Sequence, residues 1–253
     1  MDPDREPFST RPDPGEEDPD AEFLAGYDPS RYPHPSVAVD VVLLTVVDRD
    51  LWVVLTRRAE PPAEGRLTLP GAFVGLHETP EQAAQRALLT KTGLRDVFTE
   101  QLYTFGAIDR DPRTRVISIA YYALIARDQV VIDGGAFRVR VPWSGETGGA
   151  VEVLDHEGTP QPLAFDHAEI IGAAVKRLRG KLWYAPVGFE LLPPEFTLFD
   201  LQKVYEAVTG APLDRDMFRK RILRSGLATA TGTTRAAAYR APGLYRFTRG
   251  AGA

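Results

Sequence analysis

Four segments, residues 37–47, 51–56, 97–108 and 116–125, are dense in Val, Ile, Leu, Tyr and Phe and are separated by polar turns. Short runs of β-branched and aromatic residues form strands. A strand leaves its backbone N–H and C=O groups unpaired on its own, so these four are expected to share one mixed sheet. Only two helical patterns interrupt them. Thr79-Pro80-Glu81-Gln82 places a threonine cap, a proline at the first helical position and a glutamine at the third, which is a capping box, and Gly93 closes that helix with Leu94 behind it. The second helix begins at Asp166, a good N-cap residue, and carries Ile170, Ile171, Ala174 and Leu178 at helical spacing. Residues 134–158 are expected to form an elaborated loop with short strands such as 151–154. The class is α+β, a mixed sheet between helices in an α/β/α sandwich.

Composition excludes several functions. The chain has 253 residues, is 43% hydrophobic and contains no cysteine, so it has neither a disulfide framework nor thiolate metal sites. The opening MDPDREPFST has no apolar signal region, and the longest apolar run, residues 41–47, is far short of the roughly 20 residues that span a bilayer. The expectation is a soluble cytoplasmic protein. Charge is polarised along the chain: residues 1–30 hold ten acidic and two basic residues, residues 197–253 ten basic and four acidic. Residues 1–35, rich in Pro, Asp and Glu, cannot bury enough apolar surface to offset ordering, which predicts a disordered acidic tail.

The basic end has its own organisation. After residues 186–194, which read as a linker, Thr197 caps a helix bearing Leu198, Leu201, Tyr205 and Val208, and Gly210 ends it. A tight turn leads to a second helix from Asp214 to Arg224, where Phe218 and Ile222 lie on one face. Lys220, Arg221 and Arg224 cluster on another face, with Arg215 and Arg219 on the same helix. The final stretch, LATATGTTRAAAYRAPGLYRF, fits a hairpin or wing carrying Arg235 and Arg240. Helix, turn, basic helix and wing is a DNA-binding outline, and all seven basic residues are candidate DNA contacts.

Residues 69–94, LPGAFVGLHETPEQAAQRALLTKTGL, have the spacing of a phosphate-handling loop and helix. They resemble the Nudix box, with Glu78, Arg86, Leu88, Gly93 and Leu94 in register. The box glycine is Ala72, and the three helix glutamates fall on Ala87, Thr90 and Lys91. Carboxylates at i, i+3 and i+4 would hold Mg²⁺, a hard cation that prefers oxygen ligands, and Ala, Thr and Lys do not supply them. Without that cation there is no Lewis acid for phosphoanhydride cleavage. The expectation is therefore a chain that is not an enzyme and needs no metal or cofactor. Lys91 places an ammonium near the vacated cation position, where it can attract a diphosphate. Arg57, Arg58, Arg110 and Arg113 are further candidates for phosphate or ribose, Phe73 for stacking on a base, and Glu78 and Arg86 as the surviving box residues. His77 and His167 lack a second ligand nearby in sequence, and Asp166 is expected to act as a cap.

Taken together, residues 36–248 resemble the Nudix-related transcriptional regulators of NAD metabolism. The most specific stretches are TFGAIDRDPRTRVISIAYYALI, LAFDHAEIIGAAVKRLRGKL, LLPPEFTLFDLQKVYEAVTGAPLDRDMFRKRIL and GLYRF. The resemblance implies a Nudix-like effector domain over 36–185 and a winged helix-turn-helix domain within 186–253. It also implies a homodimeric repressor that binds a palindromic operator in double-stranded DNA and is released by ADP-ribose or a related nucleotide, with no membrane partner. The competing class is a Nudix hydrolase of ADP-ribose or another nucleoside diphosphate derivative, using Glu78 and further carboxylates such as Glu81.

Overall fold

The structure is a computed structural model that describes residues 20–130, 135–236 and 241–248. Residues 20–34 belong to a unit of their own. It holds α1 (Ala21–Gly26) and a 3₁₀ turn at Pro29–Arg31, whose cap Asp28 accepts from the Ser30 N–H at 2.9 Å. Of the acidic tail expected to be disordered, residues 1–19 lie outside the described residues.

From Pro35 onward the chain forms the second unit. β1 (Ser36–Val47) turns through Asp48 and Arg49 into the antiparallel β2 (Asp50–Val54). Both turn residues have positive φ, 48° and 72°, the conformation whose twist matches a two-residue hairpin. β3 (Thr56–Arg57) and β4 (Leu67–Thr68) pair as a small separate hairpin, and β5 (Gly71–Phe73) lies antiparallel to β1. After α2 (Pro80–Thr92), β6 (Glu100–Phe105) pairs antiparallel with β7 (Val116–Leu124), which runs parallel to β1. β8 (Ala136–Arg140), β9 (Glu152–Leu154) and β10 (Pro160–Gln161) extend the opposite edge, giving the order β10-β9-β8-β2-β1-β7-β6. The segment expected as an elaborated loop with short strands holds β9 within the strand expected over 151–154, and β8 besides. The strand AFRVR, five residues long and preceded by Gly134 and Gly135, is too short to stand out as a pattern.

The alternation of β1 decides what each face of the sheet sees. Val39, Val41 and Leu43 face α2 with Ala83, Ala84 and Leu88. Val42 and Leu44 face the opposite side, where α3 (His167–Lys181) packs through Ile170, Ile171, Ala174 and Leu178. Asp40 shares the parity of Val42 and so points to the α3 side.

Both helices of the basic region form as the capping residues dictate. α4 (Leu198–Thr209) starts with a full capping box between Thr197 and Asp200 and ends at Gly210 with φ 71°. α5 (Arg215–Ser225) starts at Asp214, whose carboxylate accepts from the Met217 N–H at 2.8 Å, and ends at Gly226 with φ 70°. β11 (Ala228–Thr234) and β12 (Gly243–Phe247) pair antiparallel as the wing. Residues 186–194 are not a free linker. Pro186–Leu191 is a 3₁₀ helix with Phe189 and Leu191 buried, and Phe189 packs on Phe196 and Phe247 at 5.6 and 4.7 Å. Burying such side chains contributes about 1.5–3 kcal/mol each, which outweighs the loop tendency of the flanking prolines. One hydrophobic cluster therefore runs from the α3 face of the sheet through Leu201, Val204, Tyr205 and Val208 of α4 to Phe218 and Ile222 of α5. No helix among the described residues is long and apolar enough to cross a membrane.

Candidate functional site

A cavity of about 390 Å³ opens between β1, β5, the β3–β4 hairpin and the loop before β7. Arg57, Arg58, Phe73, Lys91, Arg110 and Arg113 all line it, so six residues scattered over 57 positions of sequence meet in one place. Asp40, Asp111, Phe165 and His167 line it too, and these the motif reasoning did not assign to a ligand site. The available signal was Asp40, a carboxylate inside an otherwise apolar strand.

The floor is a buried charge network. The Arg110 side chain is only 5% exposed and donates to both oxygens of Asp166 at 2.9 and 2.7 Å and to Asp40 at 3.4 Å. Burial opposes its positive charge, and the bonds to Asp166 and Asp40 more than offset that, so its pKa is raised. Asp40 also accepts from the Ser118 hydroxyl at 2.6 Å. Asp166 was expected as a helix cap, yet its side chain makes no cap bond to α3, because its carboxylate is occupied by Arg110. His167 is buried, and its Nδ1 accepts from the Leu69 N–H at 3.0 Å, which puts a neutral ring's proton on Nε2, 3.6 Å from Asp40. Burial pushes the His167 pKa down. Gly71 belongs to this floor, since a Cβ there would come within 2.5 Å of an Asp40 oxygen and 2.7 Å of the Val39 carbonyl.

The wall alternates guanidinium and aromatic groups. Arg58 sits 5.0 Å over the Phe165 ring, and Arg113 lies 5.5 Å from Phe73 and 5.9 Å from Phe165. Arg113 is held by a two-point contact with Asp111, at 3.0 and 2.7 Å, which lowers the Asp111 pKa and raises that of Arg113. Arg57 donates to the Gly65 carbonyl at 2.6 Å and Arg58 to the Pro62 carbonyl at 2.7 Å, so both arginines are aimed by the loop between β3 and β4. Phe165 holds a φ of 52°, a left-handed conformation that costs a bulky residue about 1–2 kcal/mol, next to the α3 N-terminus.

The two surviving charged box residues lie elsewhere. Glu78 accepts from Arg86 at 3.0 and 2.5 Å and from the Gly75 N–H at 2.7 Å, while Arg86 also donates to the Phe73 carbonyl at 2.9 Å. Neither lines the cavity; together they fold the loop before α2. The Arg86 bond and the Gly75 N–H hold Glu78 well below the usual carboxylate range, at about 2. Of the positions aligned with the helix glutamates, Ala87 is fully buried, and the Thr90 hydroxyl donates to the Arg86 carbonyl of its own helix at 2.8 Å. Only Lys91 lines the cavity. Glu81 accepts from the Tyr121 hydroxyl at 3.0 Å. Among the described residues, no three His, Cys, Asp or Glu side chains converge as a cation cage.

On α5, Phe218 and Ile222 are buried and the basic residues are exposed. Arg215, Arg219, Lys220 and Arg224 have no ion-pair partner among the described residues. Arg221 differs: its guanidinium stacks 4.0 Å from the centre of the Trp183 ring. Arg235, at the start of the turn between the wing strands, pairs with Asp200 at 2.8 Å. Arg240 lies outside the described residues.

Comparison with known proteins agrees with this division. Residues 34–143 match the NUDIX domain family, and residues 188–247 match the NrtR DNA-binding winged helix domain family. The chain is 34% identical over 227 residues to the ADPR responsive transcriptional repressor NtrR of Acinetobacter baylyi, covering 89% of this chain and 87% of the relative. It is also 34% identical over 140 residues to the ADP-ribose pyrophosphatase of Methanocaldococcus jannaschii, covering 55% of this chain and 73% of the enzyme. The crystal structure of Shewanella oneidensis NrtR with a 27mer DNA superposes with a TM-score of 0.67 at 31% identity, over 84% of this chain and 93% of that one. The chain belongs to the NrtR family of Nudix-related transcriptional regulators.

Proposed function

We propose that this chain is a DNA-binding repressor whose Nudix-like domain binds ADP-ribose, or a related nucleotide, without cleaving it. The observation that carries the reading is the pairing of two surfaces. One is a cavity lined by Arg57, Arg58, Lys91, Arg110 and Arg113; the other is an exposed helix bearing Arg215, Arg219, Lys220 and Arg224. The first suits a diphosphate between aromatic walls, and the second suits DNA phosphates and guanine edges.

A divalent cation of the kind Nudix enzymes use does not fit these residues. The helix positions are Ala87, Thr90 and Lys91, Glu78 is tied to Arg86, and of the three cavity carboxylates Asp40 and Asp111 are each paired with an arginine, which leaves Glu60 alone rather than a cluster of cation ligands. Lys91 instead offers its own positive charge to the phosphate. As a homodimer, two such winged helices address the half-sites of a palindromic operator, spaced by about one helical turn or a multiple of it. Effector binding favours an arrangement that no longer matches that spacing. A coupling of about 1–3 kcal/mol weakens DNA binding about 5- to 150-fold.

The test is a titration of the protein–operator complex with ADP-ribose, followed by fluorescence anisotropy. Operator affinity is expected to fall as ADP-ribose saturates, and an unmoved complex refutes the sensing half. Similarity to the pyrophosphatase favours a second reading, a hydrolase. Magnesium-dependent release of phosphate from ADP-ribose, after a coupled phosphatase, would establish it and overturn binding without turnover.

A further inference from the structure

We propose that Trp183 is the positioning residue through which the state of the nucleotide cavity reaches the recognition helix. The inference rests on the sensing function proposed above. One helix, α3, touches both sites. At its N-terminus Asp166 holds the cavity residue Arg110, and His167 receives the Leu69 N–H. Its fifteen residues span about 20 Å at 1.5 Å per residue. At its far end Arg179 is buried and donates to the Val208 carbonyl of α4 at 2.8 Å and to the Gly145 carbonyl at 2.9 Å. No carboxylate pairs with Arg179 among the described residues, and burial lowers its pKa. It is bound instead to backbone carbonyl dipoles, including that of Val208 in the last turn of α4, where a cation is favourable. Arg179 thus ties the end of α3 to α4 and to the loop at Gly145.

Two residues beyond α3, Trp183 meets both DNA-binding helices. Its ring lies edge-on to Tyr205 of α4 at 4.9 Å, and Tyr205 in turn meets Phe218 of α5 at 5.1 Å. Its face carries the Arg221 guanidinium at 4.0 Å. A ligand anion that draws on Arg110 competes with Asp166 at the start of α3. Because Trp183 continues the chain directly from α3, a displacement of that helix is delivered to Tyr205 and Arg221 through its ring. Arg221 is thus a basic residue of α5 whose direction is set by the sensor domain.

The experiment uses the full chain with Trp183→Ala, Trp183→Phe, Arg221→Ala and the Trp183→Ala/Arg221→Ala double variant. Operator affinity is measured with and without ADP-ribose, and ADP-ribose affinity by calorimetry. Trp183→Ala is expected to keep ADP-ribose affinity within about two-fold while the fall in operator affinity on ADP-ribose shrinks severalfold, and Trp183→Phe restores most of it. Arg221→Ala, a surface change, removes the same stack from the other side and reduces the response likewise. Without ADP-ribose, Trp183→Ala changes operator affinity about two- to five-fold, and this change vanishes when Arg221 is already alanine. A wild-type response in folded Trp183→Ala or Arg221→Ala, or additivity in the ligand-free cycle, overturns the inference. Failure of the wild-type complex to respond to ADP-ribose refutes the proposed function instead, and the ligand-free cycle still decides whether Trp183 positions Arg221.

Discussion

Replacing Arg110 by methionine is the sharpest probe of the cavity floor. The substitution keeps most of the side-chain volume and removes the charge from a group that is 5% exposed, leaving Asp40 and Asp166 at 11% and 13% side-chain exposure. At an effective dielectric near 20, a unit charge pair about 4 Å apart attracts by about 4 kcal/mol, and Arg110 faces two carboxylates. Much of that attraction is cancelled by the cost of burying the charges. What the variant loses is set by the stranded acids, and breaking such a buried pair costs about 3–5 kcal/mol. Asp40 retains Ser118 at 2.6 Å and His167 at 3.6 Å, which moderates the loss, whereas Asp166 loses both of its arginine bonds. The expected cost is therefore about 3 kcal/mol, the lower end of that range.

Urea unfolding measures it. With a slope of about 2–3 kcal/mol/M, the midpoint falls by about 1–1.5 M. Arg113 stands three positions away in the same turn but is 43% exposed and faces one carboxylate, so Arg113→Met costs about 1 kcal/mol or less. Adding Asp166→Asn to Arg110→Met recovers at least half of the loss, since it removes the stranded charge. If Arg110→Met costs no more than Arg113→Met, or if Asp166→Asn worsens it, the buried network does not hold the floor and the reasoning fails.

Gly172→Ala drives a Cβ into the Gly149 carbonyl that packs against the middle of α3, so a change that normally favours a helix is expected to destabilise by about 1–3 kcal/mol, seen as a lower thermal midpoint. Lys91→Glu puts a carboxylate where the cavity needs positive charge, and ADP-ribose affinity is expected to fall roughly ten-fold by calorimetry; unchanged or tighter binding refutes the role of Lys91. Lys220→Ala/Arg224→Ala is expected to make the logarithmic salt dependence of operator binding shallower by about two, with ADP-ribose affinity unmoved. Glu78, drawn down from 4.5 to about 2, contributes stability that is full above pH 4.5 and is lost as pH falls towards 2. Glu78→Gln should flatten the acid limb of a stability–pH profile in that window, and an unchanged limb counts against the Arg86 pairing.

What the sequence disclosed was what is encoded locally. The Thr79 and Gln82 capping box, the left-handed Gly93 at φ 75° and the Asp214 cap each depend on residues within one helical turn, and each forms as its side chains require. The cavity floor is the opposite case. Arg110 reaches Asp40 and Asp166 across separations of 70 and 56 residues, and Ser118 reaches Asp40 across 78. No spacing rule announces such contacts; they follow from the parallel pairing of β1 with β7, which sets Asp40 beside Ala120 and within reach of Ser118. Asp166 shows why local rules fail at such a point. Its position favours capping, but a buried guanidinium competes for the same carboxylate and wins, because leaving Arg110 uncompensated costs more than leaving a helix end uncapped.

On the proposed reading, the same competition explains how a site without the usual cation ligands can still bind. A phosphate cavity built around a divalent ion needs unpaired carboxylates, and those carboxylates repel the substrate whenever the ion is absent. Here five basic and three acidic residues line the cavity, and two of the acids, Asp40 and Asp111, are engaged with arginines. The remaining field is positive without any ion, which on the proposed reading favours an anionic nucleotide. Binding without cleavage is also what a sensor requires, because a site that consumed its effector would report the rate of its own turnover rather than the effector's concentration. With Ala87 in the core and Thr90 bonded to its own helix, Lys91 is the one of these three α2 side chains that lines the cavity, and on the proposed reading its part there is to attract the ligand's charge.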